Sequence, residues 1–483
     1  MMTNRVETPK WILYRHTRDF NMICKVAYIL KNDLGGSISV EDKDLLIERL
    51  HEVGLYDARN PSLPQDAINH RINTLCYFMF GYKSKINGDK KFLFSPLGNM
   101  FLKYLHQPRK LALIFTTMLL SVQWPHPHGG TDKDVFELYP YRLIFTLLLD
   151  PRLDGYLHAF EYALLVPFVQ KLDIQRYELL VADILEFRHY SNKKLAQLAR
   201  DNEHAHVNAT YEWDYYQSRL FESAGILLID DGEEICRLYH GTSTTRKLTR
   251  NKASINPDLI PFVHRMLDEY PLFADTIDLK DPTRLRIDST KELYNFLPVE
   301  LLEELGESTS LETAALLELP KLLEEYANNE TGAEFNLFEK VLEEGFNMFY
   351  NVEARRISGA GNTDIECLYL ERNIKFAVDA KSTKNKLSSL NAGRLAKHRA
   401  DIGGQYTIIV TPRYVPAVKQ DIMGSPIVIL LATTFSEYLY NSLVFDRDNI
   451  DYSDFQNVIE ENLGTDISSE ISNMTISRYG INN

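Results

Sequence analysis

The sequence predicts a multidomain chain: a mainly helical N-terminal half, a helical connector, and a C-terminal α/β domain on a mixed central sheet. Three observations carry this. Apolar residues recur at helical spacing over most of the first 255 positions. Residues 256–329 are rich in Leu, Glu and Asp and are punctuated by Pro257, Pro261, Pro271 and Pro282. Beyond position 331 come an amphipathic stretch, a hairpin and two continuous apolar runs, in an order that reads as a β-hairpin followed by βαβ. At 483 residues and 45% hydrophobic content the chain is long enough for about three domains. We place the boundaries at 1–150, 151–255, 256–330 and 331–483.

Residues 23–31 and 40–55 carry helical spacing, residues 64–80 form a third helix, and residues 90–94 with Gly98 nearby supply a basic hairpin. Three helices and then a basic hairpin is the order of a winged helix, a module whose third helix enters the DNA major groove. His70, Arg71 and Asn73, near the start of that third helix, have the donors and acceptors that base edges require. Lys83, Lys85, Lys90 and Lys91 form a basic patch suited to phosphates. The same residues also fit a solvated helix face. A second winged-helix-like copy is read from helices at 157–168, 177–187 and 207–224, followed by a hairpin of 226–230 and 235–239 around Gly232. Arg246, Lys247, Arg250 and Lys252 make a second basic cluster close behind it. Residues 256–330 then space the two halves.

In the C-terminal part, Phe335, Phe338, Val341, Leu342, Gly345, Phe346 and Phe349 fall on one helical face. Glu339 lies at the edge of that stripe and Glu344 well round toward solvent. Asp364 follows the turn-forming run Gly359-Ala360-Gly361-Asn362 and opens the strand 365–370; Glu371-Arg372-Asn373 is the connecting turn to the strand 374–381. Residues two apart in a strand share a face, so Ala377, Asp379 and Lys381 lie together. A buried strand that spends two such positions on opposite charges incurs a desolvation cost unless they meet a partner or a metal. Two carboxylates at the ends of paired strands suit Mg²⁺, which takes a few hard oxygen ligands beside waters and phosphate oxygens. A surface hairpin with a salt bridge is the other reading of the same pattern. Downstream, residues 406–411 and 426–432 are apolar throughout, as in strands buried on both faces, and each is followed by a helix-like segment, 415–422 and 435–443.

These residues resemble the PD-(D/E)xK nuclease superfamily, with Asn362-Thr363-Asp364 in place of the usual Pro-Asp and Asp379-Ala380-Lys381 as the second half of the motif. Across residues 335–445 the order of helix, turn, acid-bearing strand, polar helix and buried strand is similar to the cleavage domain of type IIS restriction endonucleases, in the FokI-like and AlwI-like groups. The second of these includes strand-specific nicking enzymes. The resemblance implies a restriction-endonuclease-like fold and a Mg²⁺-dependent, site-specific deoxyribonuclease that cuts some base pairs from the sequence it reads. It carries the catalytic roles to Glu339, Asp364, Asp379 and Lys381, with Asp364, Asp379 and Glu339 as metal ligands. Some nicking proteins have Glu-Val-Thr at the strand and no lysine, so Asp-Ala-Lys places this chain nearer the FokI-like form. Arg394 and His398, one helical turn apart, resemble an auxiliary Arg-His pair of the nicking group; a solvated helix histidine is the other reading of His398. The implied partners are double-stranded DNA, a transient homodimer on DNA or a second nuclease subunit, and a cognate methyltransferase. Alternatives from other classes are a non-catalytic DNA-binding regulator, a strand-specific nicking subunit and a structure-specific repair nuclease.

A net charge of −14 argues against DNA binding by bulk electrostatics, but acidic residues crowd into 300–330 while basic ones cluster elsewhere, and local patches decide contact. Cys24, Cys76, Cys236 and Cys367 have neither zinc-ribbon nor disulfide-framework spacing. The polar N-terminus is no signal peptide and the longest apolar run, 111–124, is too short and too interrupted to span a bilayer, so the chain reads as cytoplasmic. Gly359-Ala360-Gly361 precedes a strand and is not a dinucleotide fingerprint, and no Walker A sequence is present. His126 and His128, set among prolines and glycines, read as an ordinary loop, and His204 and His206 lack a third metal ligand.

Overall fold

The computed structural model describes residues 9–55, 64–86, 89–131, 135–240, 244–279, 286–307, 311–329, 332, 334–357, 363–446 and 449–480. The chain divides into two compact units, Met1–Leu279 with Leu293–Leu305, and Lys280–Glu292 with Gly306–Asn483. The expected turn 359–362 lies outside the described residues.

The first unit is mainly helical. Helices Phe20–Asn32, Val40–Glu52 and Pro64–Tyr77 precede the antiparallel hairpin of β1 (Gly81–Ile86) and β2 (Asp89–Phe94). Asp19 and Ser39 start the first two helices by accepting backbone N–H bonds at the N-cap, which satisfies donors that have no intrahelical partner. Ser37, between those helices, bridges antiparallel to Lys91. The apolar run near 111–124 forms the helix Pro108–Ser121, buried from Leu111 to Ser121.

Further along this unit β3 (Leu157–His158) and β4 (Leu227–Asp230) flank β7 (Lys252–Ile255), while β5 (Glu234–His240) pairs with β6 (Thr244–Thr249). This corrects the expected hairpin of 226–230 with 235–239. β4 and β5 are successive stretches of one arm of a long antiparallel ladder, and β6 and β7 are the other arm. The ladder breaks at residues 231–233, where Gly232 donates its N–H to Asn251 Oδ1 at 2.8 Å and presses against the Arg250 carbonyl. The expected helix 157–168 is β3 followed by two short helical pieces, Ala159–Leu164 and Val166–Phe168. The helix Asn192–Asp201, not anticipated, lies beside β5. The expected helix 207–224 is Glu203–Glu212 continuing through a π-helical turn, Trp213–Gln217, into Ser218–Ser223.

The second unit is a five-stranded mixed sheet, ordered β12-β11-β10-β9-β8, with β8 Val352–Arg356, β9 Ile365–Tyr369, β10 Ile374–Ala380, β11 Thr407–Thr411 and β12 Ile427–Leu431. β8, β9 and β10 are antiparallel neighbours; β10, β11 and β12 are parallel, with the helices Ala392–Asp401 and Val418–Ile422 in the crossovers. β11 and β12 are buried at every position, as their unbroken apolar runs require. One face carries an aromatic core in which Phe376 stacks on Tyr452 at 5.2 Å and on Tyr406 at 5.1 Å, with Phe346 edge-on at 6.0 Å. The opposite face holds Leu395, Ile409, Val418, Ile422, Ile427 and Ile429. The helix Phe335–Phe346 approaches the helix Ala432–Phe445 so closely that a Cβ on Gly345 would meet Leu439 at 3.0 Å and Phe435 at 3.1 Å, which explains the glycine. Phe335, expected in its apolar stripe, is instead 51% exposed at the first helical residue. Among the described residues no helix is long and apolar enough to cross a membrane.

Candidate active site

The hairpin register brings the acids together. Ile365 pairs with Val378, so Asp364 and Asp379 are the next opposed residues of the antiparallel ladder and share a face. The Asp364 carboxylate accepts the Ala380 backbone N–H at 2.7 Å. Asp379 is only 3% exposed and is ion-paired with the Lys381 ammonium. Burial pushes the Lys381 pKa down, partly countered by the facing charge of Asp364. That cluster sits at the carboxyl end of β10, next to the end of the parallel strand β11, the edge at which open α/β sheets place their ligands.

Two threonines fix this strand end. Thr411 Oγ1 donates to the carbonyls of Lys381 (3.1 Å) and Arg413 (3.2 Å), and the Lys381 N–H bonds Val410 O at 2.8 Å. Thr363 Oγ1 donates to Val378 O at 3.1 Å and holds the chain just ahead of Asp364. Sequence reasoning missed both. Their only signal was a hydroxyl ending an otherwise apolar strand and another preceding the acid.

Glu339 comes from the helix Phe335–Phe346 and is half-buried. Its pKa is raised, first by burial and then by the negative charge of Asp364, with Arg356 and Lys381 opposing. From the opposite face the crossover helix Ala392–Asp401 contributes His398, which is buried, while Arg394 on the same helix is exposed. His398 Nδ1 has no hydrogen-bond partner among the described residues, and burial together with the Arg394 cation holds its imidazole pKa low. The structure thus brings Glu339, Asp364, Asp379, Lys381, Arg394 and His398 into one electrostatic neighbourhood.

The donor chemistry fits a hard divalent cation: two adjacent carboxylates, and a third whose charged form is disfavoured by burial and by the negative charge of Asp364. Among the described residues no group of three His, Cys, Asp or Glu side chains forms a ready cage. Mg²⁺ commonly binds through one or two carboxylates plus waters and substrate phosphate, which is what this site offers.

The residues expected to touch DNA in the first unit are largely engaged internally. The Arg71 guanidinium donates to His16 O, and Asn73 Oδ1 accepts from Lys83 Nζ. The His70 carbonyl accepts from the Tyr14 hydroxyl at 3.0 Å while its ring stacks on His16 at 3.9 Å. Lys90 is exposed and Lys91 half-buried; the Lys85 side chain lies outside the described residues. His126, read as part of an ordinary loop, is a buried core residue whose Nδ1 accepts the His128 N–H at 3.0 Å.

Residues 6–270 match the family described as type II restriction endonuclease HgaI, N-terminal domain. The type II restriction enzyme HgaI of Avibacterium volantium is 45% identical over 480 residues, covering 97% of this chain and 98% of that protein. A solved structure of the restriction endonuclease FokI aligns with 95% of this chain and all of that one at 11% identity and a TM-score of 0.27. A structure of FokI bound to DNA aligns with 96% of this chain and all of that one at 10% identity, also with a TM-score of 0.27.

Proposed function

The chain belongs to the family of the type II restriction enzyme HgaI, and from that premise we propose that it is a type IIS restriction endonuclease whose chemistry is done by Asp364, Asp379 and Lys381. The observation that carries the site is the register of the hairpin, which sets Asp364 against Asp379 with Lys381 two residues on. Like charges are not placed side by side at a strand end for stability alone. A non-catalytic regulator would have no use for that cost.

Asp364 and Asp379 would hold Mg²⁺, with Glu339 as the third acid. When bound, the cation activates water and stabilises charge on the phosphate. The chain's own residues supply the rest. Lys381, held by Asp379 and by the Thr411 clamp on its carbonyl, presents its ammonium where the attacking water and the phosphate meet and neutralises the negative charge that develops there. The Ala380 N–H fixes the Asp364 carboxylate, so one acid is oriented before substrate arrives. Arg394 adds an exposed cation for a neighbouring phosphate, and His398 lies behind it at the edge of the site.

We read the first unit as the part that recognises double-stranded DNA, with winged-helix-like modules, and the second as the part that cuts. One chain carries one such acid-acid-lysine set, and the two scissile phosphates of a duplex lie on antiparallel strands. Cutting both therefore calls for a second nuclease site, from a transient homodimer or from another subunit. A host that contains such an enzyme needs a cognate methyltransferase to protect its own sites, and both act in the cytoplasm, where the DNA is. The test is digestion of a defined plasmid by purified protein, with Asp364→Asn and Lys381→Ala as controls: fixed fragments from the wild type and none from either variant are expected, and equal cutting by Lys381→Ala would overturn the assignment.

A further inference from the structure

We propose that Arg246 anchors the DNA duplex: its guanidinium, laid on the rings of Tyr211 and Tyr215, takes a pair of acceptor atoms from the substrate. This rests on the reading of the chain as a DNA-cutting enzyme.

Arg246 lies on β6 directly across from Leu238 of β5, so the two share a face of the hairpin. Leu238 is fully buried, and Arg246 on the same face is half-buried, laid over the neighbouring helix. Its guanidinium carbon stands 4.0 Å from the centroid of the Tyr211 ring and 5.4 Å from that of Tyr215. A second cation, Arg15, faces the Tyr211 ring at 5.6 Å. The platform is fixed: the Tyr211 and Tyr216 hydroxyls lie 3.2 Å apart, and the Tyr215 hydroxyl accepts the Lys247 backbone N–H at 3.1 Å. Tyr215 belongs to the π-helical turn Trp213–Gln217, and such one-turn insertions recur at functional sites because they re-aim side chains. Burial alone would raise the Tyr211 phenol, yet its pKa is lowered, because the Tyr216 hydroxyl and the Arg246 and Arg15 cations face it.

Neighbouring cations are already spent. Arg237 and Lys247 share Glu234 at 3.0 and 3.2 Å, Arg219 pairs with Asp231 at 2.9 Å, and Arg250 with Glu233 at 3.4 Å. Arg246 differs. Among the described residues no carboxylate pairs with it: its guanidinium hydrogen-bonds the Tyr211 side chain on which it lies, its Nη1 donates to the Thr245 carbonyl at 2.9 Å, and its Nε is buried with no acceptor. In a chain with 67 acidic and 53 basic residues, an immobilised guanidinium left without an anion is a donor awaiting one.

A planar guanidinium fork matches two acceptors side by side, which a duplex offers in the oxygens of one phosphate or in O6 and N7 of guanine. Stacking on tyrosine removes rotamers before binding, so less entropy is lost when the contact forms.

The test uses the full chain in EDTA and two duplexes of equal length, one carrying the site mapped from the wild type's own plasmid cuts and one lacking it. Affinities are measured over a range of KCl for the wild type, Arg246→Ala and Arg246→Lys. We expect Arg246→Ala to bind the site duplex about 10- to 100-fold more weakly. A guanine contact shows as a loss confined to the site duplex that Lys does not rescue. A phosphate contact shows as a loss on both duplexes, largely restored by Lys, with the slope of log affinity against log salt reduced by about one in Arg246→Ala. Arg246→Ala binding both duplexes within about twofold of the wild type overturns the proposal. If Arg246→Ala melts early, Arg246→Gln is judged by the same criteria. A wild type that neither binds the site duplex nor cuts plasmid overturns the underlying functional reading as well, whereas a cutting wild type matched by Arg246→Ala removes the anchor alone.

Discussion

Replacing Asp379 by Asn keeps the shape of a side chain that is 3% exposed and removes its charge. Breaking a fully buried ion pair by removing one partner costs about 3–5 kcal/mol, because the other charge is stranded. Here the stranding is incomplete. The Lys381 side chain is 33% exposed, and Asp364 and Glu339 also face it, so we expect a folding cost of about 1 kcal/mol. The catalytic loss is larger. Asp379 is both a proposed cation ligand and the partner that orients Lys381, and loss of one such electrostatic group slows chemistry by about 10²–10³, or about 2.7–4 kcal/mol of barrier. Single-turnover cleavage of supercoiled plasmid measures the barrier, a gel shift with site-containing duplex measures binding, and a thermal melt measures folding. We predict binding near wild type, a small fall in Tm, and a cleavage rate below about a hundredth of wild type. A variant that cuts faster than that, with normal binding, would refute the assignment of Asp379.

Thr411→Val removes the hydroxyl that clamps the Lys381 carbonyl; single-turnover cleavage should fall several-fold and stability by about 1 kcal/mol, and an unchanged rate would show that the clamp does not position Lys381. Glu339 has a raised pKa, so its charged form is penalised by folding: stability from this group falls as pH rises through the interval between 4.5 and the raised value. Activity has the opposite sign, because the acid must be ionised to help hold the cation. Glu339→Gln should therefore cut more slowly in Mg²⁺ yet melt no lower than the wild type at neutral pH in EDTA; cutting at the wild-type rate would remove Glu339 from the site. In plasmid assays, nicked circles should accumulate at low enzyme and linear product should rise more than proportionally with enzyme; linear product strictly proportional to enzyme, with no nicked intermediate at any dilution, would rule out assembly of two sites on DNA.

The site hairpin was legible because its chemistry is local. Alternation along 374–381 put Asp379 and Lys381 on one face, and Glu371-Arg372-Asn373 marked the turn, where Asn373 indeed adopts a left-handed φ of 49°. The buried runs of β11 and β12 were equally plain. What sequence could not show was pairing at a distance and elements with little apolar content. β8, reading Val-Glu-Ala-Arg-Arg, is an edge strand with only Val352 buried, and charged edges protect against aggregation at the expense of any strand pattern. The helix Asn192–Asp201 buries only Leu195 and Ala199, too few for a periodicity to stand out. The β4–β7 pairing is set by contacts across the whole inner hairpin, not by the Asp231-Gly232 turn that the sequence suggested. The Arg246 platform gathers residues from three segments, so the basic cluster around Arg246 was visible but the rings beneath it were not.

With its acid-acid-lysine strand end, this member of the HgaI family should act as a metal-dependent, site-specific nuclease. Purified wild-type protein incubated with one sequenced plasmid, with Mg²⁺ and with EDTA, tests this most directly. We expect a discrete set of fragments whose ends lie at a constant offset from a shared short sequence in Mg²⁺, and intact plasmid in EDTA; cutting at random positions, cutting undiminished by EDTA, or intact plasmid under both conditions would refute this reading of the site.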